Sequence, residues 1–161
     1  MKRKLDGGYE LDDDTGRIDR QAVHRFISED SYWAQGRPRE TMDGLIERAA
    51  RNVGLYAPDG SQVGYSRSVD APDAFHVYLA DVYVLPEHRG RGLGVALVRF
   101  TVEEGPLADR RWILHTADAH GLYEKFGFGP AERLLERPRG LPPGGLVTPS
   151  ESATPPRGGR G

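Results

Sequence analysis

The sequence predicts an α/β domain, and three observations carry that prediction. Segments with alternating apolar and polar residues, typical of strands, are separated by segments in which apolar residues recur at i, i+3 and i+4, the spacing of one helix face. Two strand-like runs are joined through Asp59-Gly60, a pair that favours a tight hairpin because glycine accepts positive φ. A long strand at 75–85, a helix and a strand at 111–115 then follow one another, an order that predicts a right-handed parallel crossover.

Composition limits the number of domains and the classes of partner. The chain has 161 residues, 37% of them hydrophobic, which suits one modest core. With 22 Lys and Arg against 24 Asp and Glu, the net charge of −2 offers no bulk attraction to nucleic acid or to an acidic membrane. The absence of cysteine excludes a disulfide scaffold, a thiolate metal site and a cysteine nucleophile. Since neither a signal peptide nor a long apolar run is visible, we expect a cytoplasmic protein.

The first fifty residues predict a short strand and two amphipathic helices. The strand at 9–11 is ended by the acidic run 12–14, which we interpret as a solvated loop because neighbouring carboxylates point in different directions. Asp19 is placed to cap the first helix, and Pro38 suits the first turn of the second.

The loop between these helices carries two adjacent aromatic residues, Tyr32 and Trp33. They either pack over the edge of the core or form a lid that binds a substrate, since loops often carry binding residues. Both interpretations stay open from the sequence alone.

Residues 81–100 form a strand, a basic glycine-rich turn and a helix, and the rest of the chain is organised around them. Three glycines at positions 90, 92 and 94 let a ligand approach the unpaired N–H groups of the first helical turn. Arg89 and Arg91 add positive charge beside a helix end that itself carries a partial charge of roughly +0.5. A phosphate group is the ligand that such a turn favours.

The spacing of the glycines distinguishes between the candidate phosphate-binding motifs. A Walker A loop requires G-x-x-x-x-G-K-[ST], and no Lys-Ser or Lys-Thr is present here. A Rossmann G-x-G-x-x-G motif also fails, because its third glycine would fall on Val95 or Leu97. The spacing that fits is Arg89-x-x-Gly92-x-Gly94 after a strand.

A second motif lies downstream at 119–128, which reads AHGLYEKFGF. Together the two motifs closely resemble the GCN5-related N-acetyltransferase (GNAT) family, whose signatures are [QR]-x-x-G-x-[GA] on a strand–helix turn and A-x-x-x-Y-x-K-x-G-F on a late helix. The resemblance covers about residues 9–137. It implies a mixed, mostly antiparallel sheet with a central parallel βαβ crossover, flanked by helices.

The resemblance also implies acetyl-CoA as co-substrate and gives roles to particular residues. The turn 89–94 would hold the pyrophosphate, and the strand 82–84 would pair with the pantetheine arm and polarise the thioester carbonyl. Tyr123 would protonate or stabilise the departing thiolate, unless it only packs at the edge of its helix. Thr116 stands where family members often carry an asparagine that contacts pantetheine. The implied cofactor-binding residues are Val82, Tyr83, Val84, Arg89, Gly90, Arg91, Gly92, Leu93, Gly94 and Thr116.

The sequence says less about which residues act on the acceptor amine. A base is expected near the amine, and Asp81 is the first candidate because an acid within a central strand usually has a function; His76, Tyr78 and His120 follow. Alternatively, Asp81 holds the sheet or a loop together. No pair of histidines has the spacing of metal ligands on a helix, so no metal is expected.

The resemblance implies an N-acetyltransferase that moves an acetyl group to a primary amine of a small molecule or peptide, and we expect direct transfer in a ternary complex. The alternative is a non-catalytic module of the same fold that binds or senses acyl-CoA or serves as an interaction domain. No nucleic acid or membrane partner is expected, and a homodimer is left open.

The C-terminal part predicts one last helix at 118–126 and a strand at 128–136. From residue 138 onward the chain is rich in Pro, Gly, Ser and Thr, which predicts a disordered tail. The predicted organisation is therefore a domain at 1–137 and a tail at 138–161.

Overall fold

A computed structural model describes residues 1–71 and 76–135. The described residues form six strands, β1 (Lys2–Lys4), β2 (Glu10–Asp12), β3 (Arg51–Tyr56), β4 (Gln62–Ala71), β5 (His76–Val84) and β6 (Arg111–Ile113). Within the same ranges the α-helices are α1 (Arg20–Arg25), α2 (Arg39–Glu47), α3 (Leu93–Val102) and α4 (His120–Tyr123). Helix α1 continues into a π-helical turn, Phe26–Asp30.

The strands form one mixed sheet in the order β1-β2-β3-β4-β5-β6. Each neighbouring pair is antiparallel except β5 and β6, which are parallel and are connected through α3. The predicted α/β class, the hairpin and the parallel crossover are thus confirmed. The parallel pair β5–β6 lies at one edge of the sheet among the described strands. Because β6 pairs only with residues 76–78 of β5, the rest of β5 borders an opening.

Helices cover both faces of the sheet. Side chains of α1 and α2 pack on one face together with Tyr65 and Tyr83. The Tyr83 ring stacks on the ring of Phe26, with 3.9 Å between their centroids. Helix α3 packs on the other face, where its apolar residues Leu97 and Phe100 meet β3. A third apolar cluster joins α3 to α4 and includes Tyr123. The sheet is therefore packed between helices on both faces.

Local signals set several element ends as predicted. The Asp19 carboxylate accepts the Ala22 N–H at 2.9 Å and caps α1, and Pro38 directly precedes α2. Gly60 has φ of +86° in the turn between β3 and β4, a backbone conformation that favours glycine.

Other predictions are wrong. Strand β1 was not expected, and the last helix is shorter than 118–126, since α4 passes into a 3₁₀ turn at Glu124–Phe126. Residues 128–135 form turns and irregular structure instead of a strand; Pro130 lacks the N–H that a strand ladder needs, and position 136 lies outside the described residues.

The interpretation of the acidic run is also corrected. Asp12 ends β2 and is only 1% exposed, so it is not part of a solvated loop. Burial disfavours its charge, but ion pairs with Arg17 and Lys2 outweigh that effect and lower its pKa.

The compact unit that contains every element above is Met1–Gly129. Most of the second unit, Pro130–Gly161, lies outside the described residues, as does the predicted boundary between 137 and 138. Across the described ranges, no helix is both long enough and apolar enough to cross a membrane.

Candidate active site

A cleft opens where β5 and β6 part. Their parallel pairing joins residues 76–78 to 111–113, and β5 continues beyond it to Val84. A cavity of about 480 Å³ lies at this opening, lined by the loop after α1, the centres of β4 and β5, and the segment between β6 and α4. The backbone of β5 beyond Tyr78 borders the opening and is in a position to bind a ligand.

A β-bulge shapes the floor of the cleft. The register between β4 and β5 shifts between Tyr65 and Arg67, so that two residues of β5, Asp81 and Val82, face one residue of β4. Asp81 has φ of +52°, the one positive φ outside glycine among residues 1–71 and 76–135. Non-glycine residues rarely adopt this conformation, and it is typical of functional sites.

The Asp81 carboxylate lies in the cleft wall and is enclosed by donors. Arg67 Nε donates to it at 2.8 Å, Arg37 Nη1 at 3.0 and 3.1 Å, and Trp33 Nε1 at 3.2 Å. Its side chain is 2% exposed. These contacts fit the interpretation in which Asp81 holds the loop to the sheet, whereas its role as a base stays a prediction.

The aromatic loop residues lie over the cleft. The Tyr32 hydroxyl accepts the Ala117 N–H at 3.1 Å and donates to Asp118 at 3.4 Å, while Trp33 reaches Asp81. Tyr32 and Trp33 are 58% and 41% exposed, so neither packs in the core. Their position matches the lid that was predicted as one of two alternatives, and binding of a substrate by them stays a prediction.

Tyr123 projects from α4 into the same cavity. Its ring packs edge-on against Phe128, at 5.8 Å between centroids, and the residue is 8% exposed. Burial raises the pKa of Tyr123 to about 12, with further contributions from Tyr32 and Asp118. Because the hydroxyl makes no hydrogen bond to the described part of the chain, it is a protonated donor available to a ligand.

The segment before α4 contributes the predicted Thr116. Its Oγ1 accepts the Ala119 N–H at 3.1 Å, which stabilises the turn into the helix, and the residue borders the cleft. Gly121 in α4 is exposed, and a Cβ added there would meet no atom within 4 Å.

The glycine-rich turn presents unpaired backbone N–H groups. Gly90 and Gly92 have φ of +77° and +75°, and a Cβ added at either of them or at Gly94 would enter open space. Among the described residues, the amides from 90 to 95 have no backbone acceptor, the first such bond being from Ala96 to Gly92. Leu93 is buried, so only its backbone can contribute.

The two arginines of this turn differ. Both arginines are exposed, but Arg89 Nε donates to the Val84 carbonyl at 2.8 Å and fixes the turn to the end of β5, whereas Arg91 makes no hydrogen bond or ion pair to the described residues. Free amides, a helix end and positive charge fit the diphosphate of a nucleotide cofactor.

The predicted strand residues 82–84 divide between two environments. Val82 borders the cleft, whereas the Tyr83 and Val84 side chains are buried in the core. The backbones of Tyr83 and Val84 pair with β4 on one side of the strand. The structure thus brings together Tyr32, Trp33, Asp81, Val82, Thr116 and Tyr123 in one cleft, with the glycine turn at the end of the same strand.

A protein-family model described as an acetyltransferase (GNAT) domain matches residues 45–130, which is more than half of the chain. The chain belongs to the GNAT family. The matched residues include β5, the glycine turn, α3 and Tyr123.

Solved structures agree with this membership. A GNAT-family acetyltransferase structure from Xanthomonas campestris has 36% identity and a TM-score of 0.72, covering 80% of this chain and 92% of its own. An acetyltransferase structure from Deinococcus radiodurans, at 21% identity and a TM-score of 0.64, covers 85% and 93% and shows the shared fold. So does the aminoglycoside antibiotic 6'-N-acetyltransferase of Acinetobacter baumannii, at 16% identity, a TM-score of 0.56 and coverage of 84% and 100%. Curated proteins give no match.

The GNAT cleft of this chain contains three residues that the sequence did not indicate, Arg37, Arg67 and His115. Tyr78, one of the candidate bases, also lines the cleft, and its hydroxyl lies 3.0 Å from His115 Nδ1. Neither arginine belongs to a local motif, and an arginine in a strand most often faces solvent, so only the three-dimensional structure identifies them. In the described ranges, no group of His, Cys, Asp and Glu is arranged to hold a metal ion.

Proposed function

We propose that the protein transfers an acetyl group from acetyl-CoA to a primary amine, by direct transfer in a complex that holds both substrates. The observation that carries this proposal is the cleft at the parallel end of the sheet, where Tyr123 and the bulged part of β5 line one cavity. A backbone edge that can polarise a carbonyl and a hydroxyl that can stabilise a leaving sulfur are the groups that thioester cleavage requires.

The chain offers a separate site to each part of acetyl-CoA. The amides from 90 to 95 would hold the pyrophosphate, with Arg91 as the exposed cation beside it. The open edge of β5 beyond Tyr78 would bind the pantetheine arm, and Val82, which borders the cleft, is our choice for the backbone N–H that polarises the carbonyl oxygen. Thr116 would border the same arm.

Tyr123 acts in this proposal as a hydrogen-bond donor more than as a source of a proton. Its pKa of about 12 lies well above the value of about 8.5 for a thiol, so complete transfer to a thiolate would cost roughly 5 kcal/mol. A hydrogen bond from a neutral hydroxyl to the developing thiolate is favourable without that transfer. The role of Tyr123 is therefore to stabilise negative charge on the sulfur.

Direct transfer follows from the nucleophiles that the chain offers. The sequence has no cysteine, and the described residues that line the cleft include no serine. An acetyl-enzyme intermediate on these side chains is therefore not part of the proposal, and the amine itself attacks the thioester.

The acceptor is proposed to be a small molecule or a peptide amine in the cytoplasm, with neither nucleic acid nor membrane as partner. The net charge of −2 supports this proposal, since no global positive field would attract either polyanion. A homodimer is compatible with the proposal and is not required by it.

Calorimetric titration with acetyl-CoA, followed by thiol release over a panel of small amines and peptides, tests the function. We expect binding and acceptor-dependent release. Tight binding without release for any acceptor would favour the non-catalytic acyl-CoA module, and no binding at all would refute both functions.

A further inference from the structure

Two guanidinium groups, that of buried Arg67 and that of partly buried Arg37, share one carboxylate in the wall of the cleft. Asp81 lies between Arg67 and Arg37, with both ion pairs at 3.0 Å or less. The one other carboxylate among the described cleft residues, Asp118, receives a hydrogen bond from Tyr32 and contacts neither arginine. The three-residue group therefore has a net charge of +1.

Both arginines keep donors that Asp81 does not use. Arg67 is 7% exposed, yet it lines the cavity, and only its Nε contacts Asp81. Its two terminal nitrogens make no hydrogen bond to the described part of the chain. Arg37 donates to Asp81 and to the Met42 sulfur through Nη1 alone, which leaves Nε and Nη2.

We propose that the acceptor amine carries a carboxylate group and that Arg67, assisted by Arg37, binds it. A buried positive charge without an anion is costly, so a cleft that retains one is suited to an anionic ligand. The planar fork of a guanidinium matches the two oxygens of a carboxylate. The acceptor class is thus an amino-carboxylic acid, and this proposal rests on the acetyl transfer proposed above.

In the reaction of a neutral amine, a nitrogen–carbon bond replaces the carbon–sulfur bond and the sulfur leaves as a thiolate. The nitrogen loses one proton and the thiolate gains one, so that acetylated amine and the thiol of CoA are the products. The carboxylate is unchanged and serves only to position the acceptor.

Matched pairs of acceptors test the proposal. Each pair consists of an amino acid and its decarboxylated amine, such as phenylalanine and phenethylamine, tryptophan and tryptamine, or histidine and histamine. We expect the best acid to have a kcat/KM at least about tenfold above that of its amine, since a site built for a charged group rejects analogues that lack it. Equal or better transfer to the decarboxylated amines, or to an aminoglycoside, would overturn the proposal and leave acetyl transfer intact.

Three variants separate recognition of the carboxylate from stability of the fold. Arg67→Gln should raise the KM for acids about tenfold or more and leave the KM for acetyl-CoA unchanged, whereas Arg67→Lys should restore part of the loss. Arg20→Gln is the matched control, because Arg20 pairs with Glu47 on the surface outside the cleft. An unchanged preference for acids in folded Arg67→Gln contradicts the assignment.

A binding measurement decides the question even without turnover. The protein is titrated with a panel of N-acetyl amino acids and their amides, with saturating CoA and again without CoA. We expect at least one acid to bind about tenfold more tightly than its amide, with that difference lost in Arg67→Gln. If no acid of the panel binds, or acids and amides bind equally, the carboxylate proposal fails. Failure of acetyl-CoA to bind would instead refute the transferase function.

Discussion

Replacement of Tyr123 by phenylalanine removes one hydroxyl from the cleft and little else. The ring keeps its edge contact with Phe128, and the lost hydroxyl has no partner in the described residues, so the free energy of unfolding should change by less than about 0.5 kcal/mol. A hydrogen bond to a charged sulfur contributes about 1.5–3 kcal/mol, which corresponds to a loss of about 10- to 150-fold in kcat. The dissociation constant of acetyl-CoA should stay within about twofold, because the bond strengthens only as charge develops.

The assay for this variant is thiol release at saturating acetyl-CoA and acceptor between pH 7 and 10. Because burial raises the pKa of Tyr123 to about 12, the hydroxyl stays protonated and the ratio of the two rates should be constant across this range. Tyr56→Phe is the control: its hydroxyl donates to the Arg17 carbonyl at 3.0 Å away from the cleft, so it should lose about 1 kcal/mol of stability and no activity. An unchanged kcat in Tyr123→Phe would refute the role of Tyr123 in stabilising the leaving sulfur. A ratio of wild-type to variant rate that shrinks toward pH 10 would refute the raised pKa of Tyr123.

Three further predictions use other parts of the structure. Gly92→Ala should weaken acetyl-CoA binding about tenfold or more, because the added Cβ would occupy the space in front of the free amides. Gly60→Ala is the control: Gly60 has a similar φ in a distant turn, so this variant should lose a comparable amount of stability but keep its affinity for acetyl-CoA, as measured by calorimetry. Arg51→Met should cost about 3–5 kcal/mol in urea unfolding, since Arg51 Nη1 binds three carbonyls at the end of α3, whereas exposed Arg99→Met should cost under about 0.5 kcal/mol. Burial raises the pKa of Tyr56, like that of Tyr123, to about 12, so both tyrosines should contribute fully to the free energy of unfolding below pH 10. That free energy should fall by several kcal/mol as the pH rises from 10 to 12. A denaturant midpoint that stays constant over that range would contradict the raised pKa values.

Sequence patterns identify the glycine turn and Tyr123, but not the arginines of the cleft. The glycine turn and Tyr123 lie in local motifs, because a phosphate cradle and a helix are built from consecutive residues. Likewise Asp19 and Gly60 could be assigned because caps and tight turns depend on nearest neighbours.

The misassigned elements depend on tertiary contacts. Strand β1 consists of three exposed basic residues, with no apolar alternation to indicate a strand, and it exists because it pairs with β2. The Arg37–Asp81–Arg67 group joins three elements that are remote in sequence, and no periodicity shows that these side chains converge. The proposed acceptor specificity therefore rests on the three-dimensional structure.

Asp81 shows why one residue supported two interpretations. A carboxylate offers about four lone-pair directions, and its contacts with Arg67, Arg37 and Trp33 occupy them in the described arrangement. In this arrangement Asp81 fixes the arginines and the lid, and it could accept a proton only if a donor such as Trp33 withdrew. The contacts therefore fit the interpretation in which Asp81 holds the lid to the sheet, and its role as a base stays a prediction.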